Sequence, residues 1–311
     1  MKIYTNIENI EKFNAKNSVL TIGTFDGVHL GHVKVINNMK KIAGQINGET
    51  VLFTFYPHPR FVVSTEKKEI KLITTIEEKK VLLEKAGIDH LIIYPFTKEF
   101  SQLSYIDFVK NILVKKLNLK HLVVGYDHKF GHNREGSFEY LKECAKKYNF
   151  SIEQTEALNV NNISISSTII RQALREGDIV AANKGLGYSF SVTGQVVRGK
   201  GLGRQIGFPT ANIDYHKDKL IPGGGIYAVR VIVDNEIFKG MLNIGFRPTV
   251  NDDKTDITFE VNIFDFDRDI YDTNITVNFK KRIRSEKKFE SLLDLRNQLK
   301  IDKLEALNIL K

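Results

Sequence analysis

Two histidines three residues apart, His29 and His32, stand in GTFDGVHLGH (residues 23–32), where an apolar run gives way to a helical pattern. Such a pair can ligate a metal, satisfy a folded loop's own backbone, or hold an anion. No other metal ligands cluster with it in the sequence, which argues against the first. Gly23, Gly27 and Gly31 let backbone N–H groups come close to a phosphate, and the following helix begins with its positive end at the same place. Imidazole donors there would stabilise the charge that develops as a phosphorus centre is attacked, a geometry suited to nucleotidyl transfer. Phe25 and Asp26 lie in the same turn and count with Gly23 and Gly31 as candidate nucleotide or phosphate contacts.

Two further segments support an anion site. FYPHPR (55–60) sets His58 just past a strand end, and ISSTIIR (165–171) offers Ser166, Ser167 and Thr168 at a helix start with Arg171 one turn in. Hydroxyls, free N–H groups and a guanidinium together suit a polyphosphate, although a plain helix N-cap explains the serines equally well. No Walker A pattern occurs, and no GxGxxG follows the first strand.

In the second half, VVRGKGLGRQIGFPTANI (196–213) runs from a glycine-rich loop, with Gly201 and Gly203, into a turn fixed by Pro209. Thr210 and Asn212, two apart on an extended segment, point to one side, and their oxygens are hard ligands of the kind Mg²⁺ prefers. An Asx or Ser/Thr turn is the alternative for that pair. Glu260 alternates with Phe259, Val261 and Ile263, so its carboxylate faces either solvent or a reaction.

These residues need elements to carry them. Up to about residue 180, near-continuous apolar runs (SVLTIGTF, TVLFTFYP, HLIIYPF, HLVVGYD) alternate with helical patterns, among them TTIEEKKVLLEKAG, closed by Gly87. That alternation predicts a Rossmann-like parallel sheet covered on both faces, with ligands beyond the carboxyl ends of the strands. After residue 188 strand-like runs follow closely, VDNE reads as a hairpin turn, and an antiparallel β-barrel is expected. A final helix is expected to bury Phe289, Leu292 and Leu293. The glycines near 181–188 place the boundary between domains of residues 1–184 and 185–311.

The motifs GTFDGVHLGH, FYPHP, GYDHKFGHNREGS and ISSTIIRQAL, in this order, resemble the adenylyltransferase module of bacterial bifunctional riboflavin kinase/FAD synthetases. GxGxGRxxGFPTAN, PGGGIYAV, NIGFRPTV and FEVNIFDFDRDIYD are similar to riboflavin kinase, so the resemblance spans almost the whole chain. It implies an α/β nucleotidyltransferase domain followed by a kinase barrel, making FMN from riboflavin and FAD from FMN, with ATP as co-substrate, Mg²⁺ as cofactor and pyrophosphate released. It further implies that His29 and His32 contact ATP phosphates and that Ser167, Thr168 and Arg171 hold the triphosphate. By the same resemblance His58, Asp127 and Arg134 line the flavin and nucleotide cleft, Thr210 and Asn212 bind Mg²⁺–ATP, and Glu260 deprotonates the ribityl 5′-hydroxyl. Three departures stand out: Ile169 where a basic residue is usual, FGHNR at 130–134, and Asn262 where His is frequent, which implies a lost supporting role.

Composition sets the remaining bounds. With 46 Lys and Arg against 37 Asp and Glu the net charge is +9, which favours anionic ligands. The cations are scattered over helix faces beside carboxylates, so a nucleic-acid partner is not expected; NFKKRIR (278–284) is the only local hint. The one cysteine, Cys144, excludes an intrachain disulfide and suggests a reducing compartment. No secretory signal or membrane-length apolar run is apparent. A cytoplasmic enzyme, monomeric or weakly self-associating, is the expectation.

Overall fold

A computed structural model of the chain describes residues 1–5, 10–63, 71–126, 138–160, 163–199, 201–248 and 255–311. By packing it divides into two compact units, Met1–Ser166 and Ser167–Lys311.

The first unit is built on a six-stranded sheet in the order β1-β4-β3-β2-β5-β6, every pair parallel. Its strands are β1 (Lys2–Tyr4), β2 (Ser18–Ile22), β3 (Thr50–Tyr56), β4 (His90–Pro95), β5 (Leu119–Gly125) and β6 (Ser151–Thr155). From β2 the chain winds one way through β3 to β4, then returns to the other side of β2 as β5. A parallel sheet opens a crevice beyond the carboxyl ends of its strands at such a reversal.

Both faces are covered, as the unbroken apolar runs require. Val19, Leu52, Leu91 and Val123 pack under α1 (Leu30–Ile46) and α2 (Ile76–Lys85). Leu20, Phe53, Ile92 and Val124 pack on the opposite face with Phe108 and Leu113 of the π-helical turn Phe108–Val114, and with Leu141 of α3 (Phe138–Tyr148). Thr75 and Glu78 close a full capping box at the start of α2, and Gly87 (φ +84°) follows its end. A small antiparallel ladder, β7 (Asn159–Val160) with β8 (Ile163–Ser164), completes the unit.

The second unit is a closed antiparallel barrel in the order β10-β13-β12-β11-β14-β9. Its strands are β9 (Ser191–Val197), β10 (Ala211–Tyr215), β11 (Gly225–Val233), β12 (Glu236–Pro248), β13 (Thr255–Ile263) and β14 (Asn274–Arg284). Asp234 and Asn235, both at positive φ, form the two-residue hairpin turn expected at VDNE. Tyr227, Phe279 and Phe259 lie buried, the Phe279 ring against each of the other two, and the alternate residues Ile226 and Ala228 instead meet the last helix.

That helix, α6 (Leu292–Ile309), corrects the expected buried face. Leu292 and Leu293 are 63% and 64% exposed. The helix packs instead through Asp302, Ala306 and Leu310, and Asp302 is anchored by a bidentate bond from Arg284 (2.8–3.2 Å).

Helices α4 (Ser167–Glu176) and α5 (Ile179–Leu186) precede the barrel and pack with it. Gly223 N–H donates to the Leu174 carbonyl (2.9 Å), and Asn183 both donates to Phe279 and accepts from Phe190. The boundary read from the glycines, 184/185, falls inside α5, whereas packing groups both helices with the barrel.

Candidate functional sites

In the first unit the strand-to-helix turn leaves β2 at its carboxyl end, beside β3 at the winding reversal. Gly23 N–H still bonds to the Phe53 carbonyl (3.0 Å), so the ladder continues one residue into the turn. Beyond it the backbone is strained, with Phe25 (φ +46°), Gly27 (+85°) and Val28 (+36°) all in the left-handed region. A β-branched residue there costs on the order of 1–3 kcal/mol and persists only where its surroundings impose it.

What imposes it is a set of buried polar bonds. Asp26, 1% exposed, accepts from the backbone N–H groups of Ile73 and Thr74 (both 3.0 Å) and from the Thr74 hydroxyl (3.3 Å). Gly27 N–H donates to the same hydroxyl (3.0 Å). Phe25 is buried in the core under α1. These two residues, expected among the nucleotide contacts, therefore build the turn: the Asp26 carboxylate is engaged by the chain itself, and a buried anion would repel phosphate.

The turn delivers the two histidines as a stacked pair, centroids 3.6 Å apart at 17°, with Phe25 closing the far side of His32 at 4.5 Å. His29 is the N-cap of α1; its Nδ1 accepts from the His32 backbone N–H (3.3 Å). An accepting Nδ1 carries no proton, so a neutral His29 holds its proton on Nε2. His32 is held well below the usual histidine range by burial, then by His29 and by the Lys79 cation. Its buried Nδ1 has no hydrogen-bond partner among the described residues. Gly31 is needed here: a Cβ would lie 3.1 Å from the His29 ring.

His58 lies past the end of β3, buried, its Nδ1 accepting from Arg60 N–H (3.2 Å) at the start of the short helix Pro59–Val63. Ser167, Thr168 and Arg171 occupy the opening turns of α4, within the second unit. Ile169, the departure beside them, is 42% exposed. Asp127, Arg134 and FGHNR lie outside the described residues.

In the barrel, β10 pairs with β13 so that Asn212 sits opposite Glu260, and the Thr210 hydroxyl donates to a Glu260 carboxylate oxygen (3.4 Å). The register brings Glu260 to Thr210 and Asn212, which lie 50 and 48 positions before it in the sequence. Gly199 packs directly on the Asn212 amide, and a Cβ there would collide with it. Gly201 and Gly203 flank Leu202 at the start of the one-turn helix Leu202–Gln205, which precedes FPTAN. Asn262 does not lose its supporting role: buried, it donates from Nδ2 to the Pro209 carbonyl (2.6 Å) and so holds the turn that carries Thr210.

Sequence comparison assigns each unit. A family model for FAD synthetase matches residues 11–169, and one for riboflavin kinase matches residues 186–310. The chain is 41% identical, over 97% of its length and 96% of the relative's, to a bifunctional riboflavin kinase/FMN adenylyltransferase of Buchnera aphidicola subsp. Schizaphis graminum. The chain belongs to that family. A relative of the same description from Listeria monocytogenes is 40% identical over 93% of this chain and 91% of its own. A solved structure from Streptococcus pneumoniae, described as a macrolide-efflux protein, has a TM-score of 0.90 at 30% identity, covering 99% of both chains. Its description stands apart from the two family matches. Among the described residues of this chain no helix is long and apolar enough to cross a membrane.

Lys79, Thr74 and Asn262 took no part in the expected sites. Lys79 had a visible signal: it interrupts the apolar stripe of Ile76 and Leu83 on α2, so that a lysine occupies a core-facing position.

Proposed function

We propose that the chain catalyses both reactions of its family: ATP-dependent phosphorylation of riboflavin to FMN, and adenylylation of FMN to FAD with release of pyrophosphate. The observation that carries this reading is the presence of two polar constellations, each within the segment matched by the corresponding family model. The functional boundary is placed at residues 184/185, inside the segment that spans the gap between the two matches.

For adenylyl transfer, the FMN phosphate attacks the α-phosphorus of ATP and pyrophosphate leaves. His29 supplies an Nε2–H donor fixed by its own capping bond, and His32 is stacked against it. Donors set before the reaction stabilise developing charge without reorganising. Ser167, Thr168 and Arg171 are assigned to the triphosphate, and His58, Asp127 and Arg134 to the flavin and nucleotide cleft.

For the kinase, Glu260 is the base that takes the proton from the ribityl 5′-hydroxyl as that oxygen attacks the γ-phosphorus and ADP leaves. Thr210 and Asn212 offer a hydroxyl and an amide oxygen beside this carboxylate, a hard-oxygen set that fits Mg²⁺ when phosphates supply the other ligands. Bound there, the ion would neutralise charge on the ATP phosphates. Gly201 and Gly203 are assigned to backbone contacts with those phosphates.

A cytoplasmic location, in keeping with the lone Cys144, and a monomer or weak oligomer complete the proposal. Incubation with riboflavin, ATP and Mg²⁺ followed by chromatography tests it. FMN that is converted to FAD is expected; absence of both flavin products overturns it.

A further inference from the structure

The turn that carries His29 is held from below by one element. Helix α2 begins at Thr75, and the two residues before it, Ile73 and Thr74, bind Asp26. One helical turn further on, Lys79 reaches the same loop: its Nζ donates to the Thr24 carbonyl (2.6 Å), which also accepts from the Thr54 hydroxyl (3.3 Å). Lys79 is 5% exposed. A buried ammonium is costly, and the cost shows in its titration: burial pushes Lys79 down to about 8, with Asp26 opposing that shift. An apolar residue of similar length would cover the core more cheaply.

We infer that Lys79 is a positioning residue for adenylyl transfer: its buried ammonium clamps the Thr24–Asp26 turn and so fixes the stacked His29–His32 pair that the turn delivers. This inference rests on the adenylyltransferase reading of the first unit. The titratable groups meeting at this point are Asp26 and His29 from the turn, His32 from α1 and Lys79 from α2. Protonation of His32 would place a second cation beside Lys79 and load a buried Nδ1 that has no acceptor among the described residues.

The test uses the full chain with two variants, Lys79→Met, which removes the charge and the donor, and Lys79→Gln, which keeps a donor. FAD formation from FMN and FMN formation from riboflavin are followed between pH 5.5 and 8.5 for each, with circular dichroism as the check of folding. For Lys79→Met we expect kcat for FAD formation to fall about 10²-fold, the magnitude typical of a displaced charge-stabilising donor. KM is expected to change little and the kinase rate not at all. Lys79→Gln, which can still donate to the Thr24 carbonyl, should recover part of kcat. Full FAD formation in Lys79→Met, or a loss that appears in KM with kcat unchanged, overturns the inference. Loss of the folded first unit in both variants assigns Lys79 to stability alone and overturns it equally. Wild-type protein that makes no FAD from supplied FMN would instead count against the adenylyltransferase reading itself.

Discussion

On the proposed reading, the two candidate sites meet the demands of phosphate chemistry in opposite ways. In the first unit the polar groups are buried and already bonded to one another: Asp26 to Ile73 and Thr74, Lys79 to Thr24, His29 to the start of α1. In the barrel, Thr210 is exposed, Asn212 and Glu260 are half-buried, and the single bond among them is a long one of 3.4 Å. The first site fixes its donors in advance by spending core polarity and backbone strain. The second leaves oxygens in reach of solvent, where an incoming metal–nucleotide complex can gather them. A rigid donor pair suits a reaction whose charge appears at one phosphorus; a loose oxygen set suits one in which a hydrated cation must enter first.

If the two sites are separate, single substitutions should divide the activities. Glu260→Ala should have the largest effect, lowering FMN formation about 10²- to 10⁴-fold, the usual worth of a general base, with FAD formation from supplied FMN unchanged. His29→Asn keeps an N-capping side chain but removes the imidazole donor, so thermal stability should hold while FAD formation falls about 10²- to 10³-fold. A parallel fall in kinase rate would erase the contrast drawn above. Asn262→Ala leaves the Pro209 carbonyl without its partner and should cost about 1–3 kcal/mol in chemical denaturation, together with a raised KM for ATP in the kinase reaction only.

The smallest effect is a pH dependence of stability that belongs to the first unit. Lys79 titrates at about 8 in the fold against 10.5 in the open chain. The unfolded chain thus binds the proton more tightly, and stability from this group is complete only above 10.5 and is lost as pH falls through about 8. Thermal unfolding of the wild type should show a component that rises across that window, absent from Lys79→Met. His32 acts in the same sense lower down: its depressed titration means stability is lost as pH falls below 6.5.

Much of this was legible in the sequence, for reasons that differ by element. The parallel sheet followed from apolar runs too continuous for a half-exposed strand, and the barrel hairpin from Asp234 and Asn235, which tolerate left-handed backbone. The role of Asp26 was hidden because its partners, Ile73 and Thr74, are 47 and 48 residues away. The signal of Lys79, its place between Ile76 and Leu83, was masked by its company: a lysine among Glu77, Glu78 and Lys80 reads as a solvated face until the packing of α2 against the sheet is seen. The face of α6 was misread because Leu292 and Leu293 lie in the first turn, before the helix reaches the barrel. Its true contact is set by Ala306, Leu310 and a buried aspartate, a residue type that hydrophobic patterning discards.

The central claim, two independent sites in one chain, is tested most directly by mixing Glu260→Ala with His29→Asn and supplying riboflavin, ATP and Mg²⁺. Alone, the first variant should leave riboflavin unconverted and the second should stop at FMN. Together they should restore FAD, because FMN made by one chain reaches the intact adenylyltransferase of the other. Failure of the mixture to make FAD, or loss of both activities in either variant alone, would contradict the account.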